Sequence, residues 1–460
     1  VRDSAAVGPV TGSTANRRAV LGDLIVAGGA LVLVGLAVAV GVYYNRPGSG
    51  VVIWAFAPPL YGGWLPHIGP GSVLAVLTAV AVVGYGPALA ARLRWRPLLA
   101  LGYLTALCWT FGLAMVDGWD RGFAGRLTNR FEYLHEVPGI VDIPAMLGGF
   151  ADRILAGSPD SWTTHVAGHP PGATLVFVWL DRLGLSGGVW AAAVCVLSGC
   201  LVAVAVPVTL AALGRAEAAR ASLPFVVLFP GAVWVGVSAD GLFAGVTAVG
   251  LALLACACRG FAGGRRSATP VAVAAGVVLG FGIFLSYGLL LLGLVALAVV
   301  AAGRSLRTLL LAVLGAGVVV GVFALAGFWW LDGYHLVVER YYQGIGAKRP
   351  YSYWVWANLA CLVLAVGLAT VAGVRRAAVA AVSRPARRDA VVLLVVAALL
   401  AVAFADLSGL SKAEVERIWL PFAVWLLPAT ALLPAGSRRW WLAAQAALAL
   451  AVNHLVLTIW

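Results

Sequence analysis

Charge is what this chain has least of. Asp, Glu, Lys and Arg make up 11% of its 460 residues, against roughly 25% in soluble domains, which excludes an ordinary water-soluble protein. Lysine occurs only at Lys348 and Lys412. No run of about ten residues alternates apolar with polar, so a transmembrane β-barrel is disfavoured. Neither a G-x-x-x-x-G-K-[ST] loop nor a dinucleotide fingerprint is present, which argues against an ATP-driven pump. The six cysteines lie inside apolar segments, and Cys256 and Cys258 are two apart rather than in a C-x-x-C pair. They read as small buried hydrophobes.

What remains is 62% hydrophobic, with a mean hydropathy of +0.98, spread over many apolar stretches, as in an all-α polytopic membrane protein. Heavy use of Ala, Val, Gly and Arg is that of a GC-rich genome, and the cell membrane of a GC-rich bacterium is the expected location. Residues 1–21 read as a disordered cytoplasmic tail and 22–460 as one transmembrane domain. The run 21–44 is too long for a signal-peptide core and is expected to be a retained first helix. Residues 51–71, broken by Pro58 and Pro59, suit an aromatic-rich interfacial segment. Further spans are expected at 72–91, 97–116, 186–213, 222–238, 240–258, 269–284, 287–302, 307–331, 354–373, 389–405, 418–434 and 439–460, roughly thirteen in all. The short segment 171–184, carrying Asp181 and Arg182, is left open between a half and a full crossing.

The formal net charge of +13 comes from small arginine clusters between apolar segments, the positive-inside pattern rather than a nucleic-acid footprint. With the N-terminus inside, the inner loops collect Arg92, Arg94, Arg96, Arg215, Arg220, Arg259, Arg304, Arg375, Arg376, Arg384, Arg387 and Arg438. Nearly all carboxylates then face outward, in a main loop at 117–170 and further outer loops at 332–354 and 406–418.

The main loop holds the chemistry. Asp117 and Asp120 (V-D-G-W-D) sit at the outer end of a span, where partial desolvation raises a carboxylate's pKa and makes it a better base; Gly118 lets the backbone turn between them. Arg126, Arg130, Glu132, His135 and Glu136 have the spacing of an amphipathic surface helix, and equally of a solvated face with local ion pairs. In G-H-P-P-G (168–172) the prolines set a rigid entry into the next helix and hold His169 at the boundary, with His165 four residues earlier. Asp240 is a lone acid between apolar helices, a functional candidate by position. Arg340, Lys348 and Arg349, interleaved with tyrosines, and Lys412, Glu414, Glu416 and Arg417 suit a phosphate-bearing lipid or ordinary interfacial anchoring.

These features resemble the GT-C fold glycosyltransferases, polytopic enzymes that take sugars from polyprenyl-phosphate donors. The likeness covers most of residues 97–434. It rests on Asp117 at the outer end of an early span, the large outward loop, and H-P-P-G (169–172), similar to a turn in protein mannosyltransferases and aminoarabinose transferases. S-A-D-G-L-F-A-G (238–245) and E-R-I-W-L-P-F (416–422) add to it, the latter similar to actinobacterial mannosyl- and arabinosyltransferases. The D-G-W-D motif departs from the D-E or E-x-D of many members and leaves the base open between Asp117 and Asp120.

The resemblance implies a GT-C-like helix bundle whose large outer loop bears interfacial helices. It implies an inverting transfer of mannose or arabinofuranose to a cell-envelope glycan, glycolipid or protein. Asp117 or Asp120 would be the base, Arg417, Arg340 and Lys348 would hold the leaving phosphate, and His169 and Glu132 would position substrate. Arg130, His135, His165, Asp240, Arg349 and Glu416 complete the candidate binding set. A divalent metal is an option in that class, although no ligand cluster stands out. The competing reading is a transporter or flippase of a lipid-linked precursor, which needs ionisable groups near the midplane and two related halves.

Overall fold

The computed structural model describes residues 11–383 and 388–459. The first ten residues of the expected tail, with Arg2, and Arg384 and Arg387 of the inner-loop set, lie outside the described residues. The chain is an all-α polytopic membrane protein, with one small two-stranded ribbon. Among the described residues, eight helices are long and apolar enough to cross a membrane, or up to ten if each of two sharply bent pairs is one span. The first helix starts at Thr11 and runs unbroken to Tyr44, so residues 11–21 are helical rather than a disordered tail, and the candidate span begins at Arg18.

Fewer continuous helices exist than the expected crossings because proline and glycine interrupt the apolar runs. Segment 222–238 is split into Ala216–Val227 and the single turn Ala232–Val235 at Pro230, which removes an amide donor and disfavours helix at the residue before it, while Pro224 is accommodated inside the first helix. Segment 354–373 bends by 109° between Tyr351–Val366 and Leu368–Val382, at Gly367 with φ of +83°. Segment 418–434 becomes short turns around Pro421 and Pro428. Between 118 and 163 the expected amphipathic helix is replaced by turns, the longest α-helix being Ile143–Gly148. The expected final span is a helix only over Arg438–Leu455; β2 (Val456–Thr458) then pairs antiparallel with β1 (Gly62–Trp64), inside the stretch expected to be merely interfacial.

The helix Ala239–Ala262 is the most buried of the eight and packs on Ala268–Leu285, Gly188–Gly199 and Val202–Ala212. Small residues permit close approach: a Cβ on Gly276 would lie 2.0 Å from the Ala312 carbonyl oxygen of the helix Leu306–Leu325. The two ends of the bundle differ in kind. At one, arginines cap and pair: Arg220 donates to the carbonyls of Ala90 and Leu93, Arg215 pairs with Asp389, and Arg375 and Arg376 grip Asp23 at 2.8 and 2.6 Å. At the other, the loops following Asp117, Gln343 and Leu407 meet.

The helix Pro171–Arg182 belongs wholly to that second end. It is about 18 Å long, short of the roughly 30 Å hydrocarbon core. It begins just after His169, and at its far end Arg182 donates to the carbonyls of Ile140 and Val141 in the same loop.

Asp23 is 1% exposed in its side chain, and its two partners keep 26% and 19%. Asp23→Ala is expected to destabilise by about 2 kcal/mol, below the 3–5 kcal/mol for breaking a fully buried pair because water reaches both arginines, read as a lower Tm in detergent.

Candidate active site

The polar end is built on a buried guanidinium. Ser238 caps the helix Ala239–Ala262, its hydroxyl accepting from the Gly241 amide at 3.3 Å, which sets Asp240 in the first turn. Asp240 Oδ2 accepts from Arg417 Nη1 at 2.7 Å, and Arg417 Nη2 reaches Glu414 Oε2 at 2.7 Å and His165 Nε2 at 3.4 Å. Glu414 Oε1 receives Arg349 Nη1 at 3.2 Å, and His165 Nδ1 lies 2.9 Å from Glu132 Oε2. His169 packs beside Tyr133, His165 and Phe243. Glu132, His165, His169, Asp240, Arg349 and Arg417, named from four separate stretches of sequence, thus form one cluster, joined by Glu414.

Ala413 and Glu414 take φ of +71° and +63°, a region non-glycine residues rarely occupy, at a cost of order 1–3 kcal/mol each. The turn is held by its surroundings. Asn358 bonds the Ala413 amide, the Ser411 carbonyl and Asp406; Lys412 Nζ donates to the Gly346 carbonyl; Arg349 donates to the Lys412 carbonyl at 2.8 Å. Arg349 also binds the carbonyls of Ile53 and Trp54, the latter residue again left-handed at +58°.

Titration follows from burial and pairing. Burial alone would raise Glu414, but Arg417 and Arg349 outweigh it and hold the carboxyl at about 2. Burial would lower Arg417, and Asp240 and Glu414 reverse this, raising it. Burial, reinforced by Glu414 and only partly opposed by the Tyr61 amide that it accepts at 3.3 Å and by the charge of Arg417, pushes Glu416 up to about 7. Burial pushes His169 down to about 4, so its imidazole is neutral at pH 7, with Nδ1 donating to the His165 carbonyl at 2.8 Å.

The two loop aspartates have different surroundings. Asp117, 5% exposed, is clamped between His67 Nε2 and Arg126 Nη2, each at 2.7 Å. Gly118, at φ +82°, turns the chain, and Asp120 lies exposed on the rim of a cavity of about 600 Å³. Arg121, Arg126, His165, Arg349 and Glu414 line the same cavity, as do Tyr61, Leu457, Thr458 and Ile459. Arg126 fixes the last three, its Nη1 donating to the Thr458 carbonyl at 2.6 Å.

Arg130, His135 and Lys348 are exposed and stand apart from the ion network; Arg130 lies over Phe131. Arg340 reaches the Trp162 carbonyl at 3.5 Å. Sequence reading passed over His67, Tyr61 and Thr458 as site residues. The only hint was a histidine between Pro66 and Ile68 in an otherwise apolar outward stretch. Among the described residues, no three or more of His, Cys, Asp and Glu are placed to hold a metal ion.

No protein-family model matches the chain, nor does any curated protein. Among solved structures it is similar to the oligosaccharyltransferase of Archaeoglobus fulgidus. The complex with Zn and sulfate gives 13% identity and a TM-score of 0.49 over 78% of this chain and 53% of that one. The apo form gives 12% and 0.49 over 78% and 56%, and the form tethered to an acceptor peptide containing the NVT sequon gives 14% and 0.43 over 73% and 49%. The chain spans about half the length of those proteins. At this level of likeness, function is argued from the site alone.

Glu416 generates a pH test. Its folded value, about 7, lies above the ordinary 4.5, so the associated stability is complete below 4.5 and is lost as pH rises through 7. Glu414 runs the other way, its contribution present above 4.5 and lost only as pH falls towards 2. Between pH 5.5 and 8 the Tm of the wild type in detergent is therefore expected to fall, and Glu416→Gln to flatten that fall.

Proposed function

We propose that this chain is a membrane glycosyltransferase of GT-C type, working at the extracytoplasmic face. It moves a sugar, mannose or arabinofuranose by the resemblance, from a polyprenyl-phosphate donor to a glycan, glycolipid or protein acceptor of the cell envelope. The observation that carries this reading is the shared cavity: Asp120 lines the same space as Arg121, Arg126 and Arg349. A base for a hydroxyl and cations for a phosphate are the two things such a transfer needs.

In this scheme Asp120 accepts the proton of the acceptor hydroxyl as its oxygen attacks the anomeric carbon. The bond from that carbon to the phosphate oxygen breaks, the electron pair leaves with the prenyl phosphate, and the single displacement inverts the centre. Arginines meet the charge growing on the leaving oxygen, where a bidentate fork suits phosphate. Asp117, occupied by His67 and Arg126, holds Arg126 in place. Arg417 acts through Glu414, fixing the face from which Arg349 points.

A transporter or flippase would concentrate ionisable groups near the midplane, whereas the buried ion network joins loop residues to the first turn of a helix. The cytoplasmic alternative for this end is disfavoured by the arginines gathered at the opposite one.

The test is transfer of radiolabelled sugar from polyprenyl-phosphate donors in membranes carrying the wild type, Asp120→Asn or Asp117→Asn at matched expression. Asp120→Asn is expected to lower kcat by about 10²-fold or more, with Asp117→Asn retaining more activity. Wild-type activity in Asp120→Asn would move the base elsewhere. A wild type that transfers nothing, beside an active control enzyme, would overturn the reading.

A further inference from the structure

The cavity has a wall that comes from far along the chain. Strand β2 is laced to the opening segment at every register position, Gly62 with Thr458, Gly63 with Leu457 and Trp64 with Val456. The Leu65 and His67 amides extend the ladder to the carbonyls of Leu455 and His454. Below it, His454 Nε2 lies 2.9 Å from the Ser72 hydroxyl, and Asn453 donates to the Leu113 carbonyl at 3.0 Å. Arg126 closes the arrangement, since one guanidinium binds Asp117 Oδ2, the Thr458 carbonyl and, at 3.3 Å, the Thr458 hydroxyl. That guanidinium is 5% exposed, and it ties the strand to the loop that carries Asp120.

We propose that Leu457 and Ile459 form the acceptor-side wall of the cavity, that Leu457 limits the size of acceptor admitted, and that Arg126 is the positioning residue that sets the wall. The inference rests on the glycosyltransferase reading. Its basis is that 457–459 line the cavity together with Asp120, the group that must meet the acceptor hydroxyl. The face these residues offer is apolar at 457 and 459 and is set by backbone hydrogen bonds, so the dimension of the opening depends on side-chain volume at those positions. A sugar ring presents C–H faces as well as hydroxyls, and an apolar wall selects by shape.

Two measurements test this. The first needs no activity: a Trp64→Cys, Val456→Cys pair in a Cys108→Ser background is oxidised, and the cross-linked peptide is quantified by mass spectrometry. The cross-link is expected to form, and to form less completely with Arg126→Gln. Arg126→Lys is expected to be intermediate, because lysine keeps the charge on Asp117 but lacks the fork that also reaches Thr458.

The second measures transfer from one polyprenyl-phosphate sugar to alkyl glycosides of one, two and three sugar rings. Leu457→Trp is expected to raise the acceptor KM by about tenfold for the largest relative to the smallest, with the donor KM moved less than twofold. Leu457→Ala is expected to shift the preference towards larger acceptors.

Absence of the cross-link would overturn the wall itself. A cross-link with no acceptor-size dependence, or with the change falling on donor KM, would overturn the assignment to the acceptor while leaving the transferase standing. If the wild type transfers no sugar, the transferase reading fails and the size rule fails with it.

Discussion

Everything at the polar end depends on the solvation of one guanidinium. Arg417 is buried in a region that water barely reaches, and a charge there must find its counter-charges within the protein. It draws them from two places, the first turn of the helix Ala239–Ala262 and the residue three before it in its own segment. Once Asp240 and Glu414 are committed, Glu414's second oxygen recruits Arg349, and Arg417 reaches His165, which is backed by Glu132. Segments spread from residue 132 to residue 417 are thereby placed by a single electrostatic requirement. The arrangement is all-or-nothing, since removing either acid leaves a buried cation short of a partner.

Strain gathers where this network is tightest. Trp54, Ala413 and Glu414 all hold left-handed backbone, and Arg349 binds two of the three directly, through the Trp54 carbonyl and the Glu414 carboxylate. Unfavourable backbone geometry persists when its neighbours over-determine it, and here the hydrogen bonds of Arg349 and Asn358 act together with the packing of Ala413 in a buried apolar cluster. In the same setting burial raises the Glu416 carboxyl, while Glu414, two residues away, is held low by Arg417 and Arg349.

Much of the site was legible because charge is so scarce. In a chain with few ionisable groups each one stands out, and Glu132, His165, His169, Asp240, Arg349 and Arg417 could be picked from composition and position. What was not legible depended on pairing across the chain. Nothing in V-D-G-W-D indicates that the first aspartate is held by His67 and Arg126 while the second opens on the cavity. The ribbon was hidden because an apolar run of a few residues does not distinguish a strand from the end of a helix. Counting crossings from hydropathy missed the breaks at Pro230, Gly367, Pro421 and Pro428, since an interrupted apolar segment has the same average as a continuous one.

The pairing of β1 with β2 has a consequence for the order of synthesis. Residues 62–64 leave the ribosome long before 456–458, so the first half of the ribbon waits, with its edge open, through the insertion of nearly every helix. The ion network around Arg417 can assemble once residue 417 is in place; the ribbon cannot. Contacts this distant in sequence carry a large loop-closure cost, and this wall of the cavity arrives only with the strand that follows the helix Arg438–Leu455. A chain interrupted after residue 440 would keep its charged centre but leave one side of the cavity open, so the complete cavity is itself a record that synthesis has passed that point.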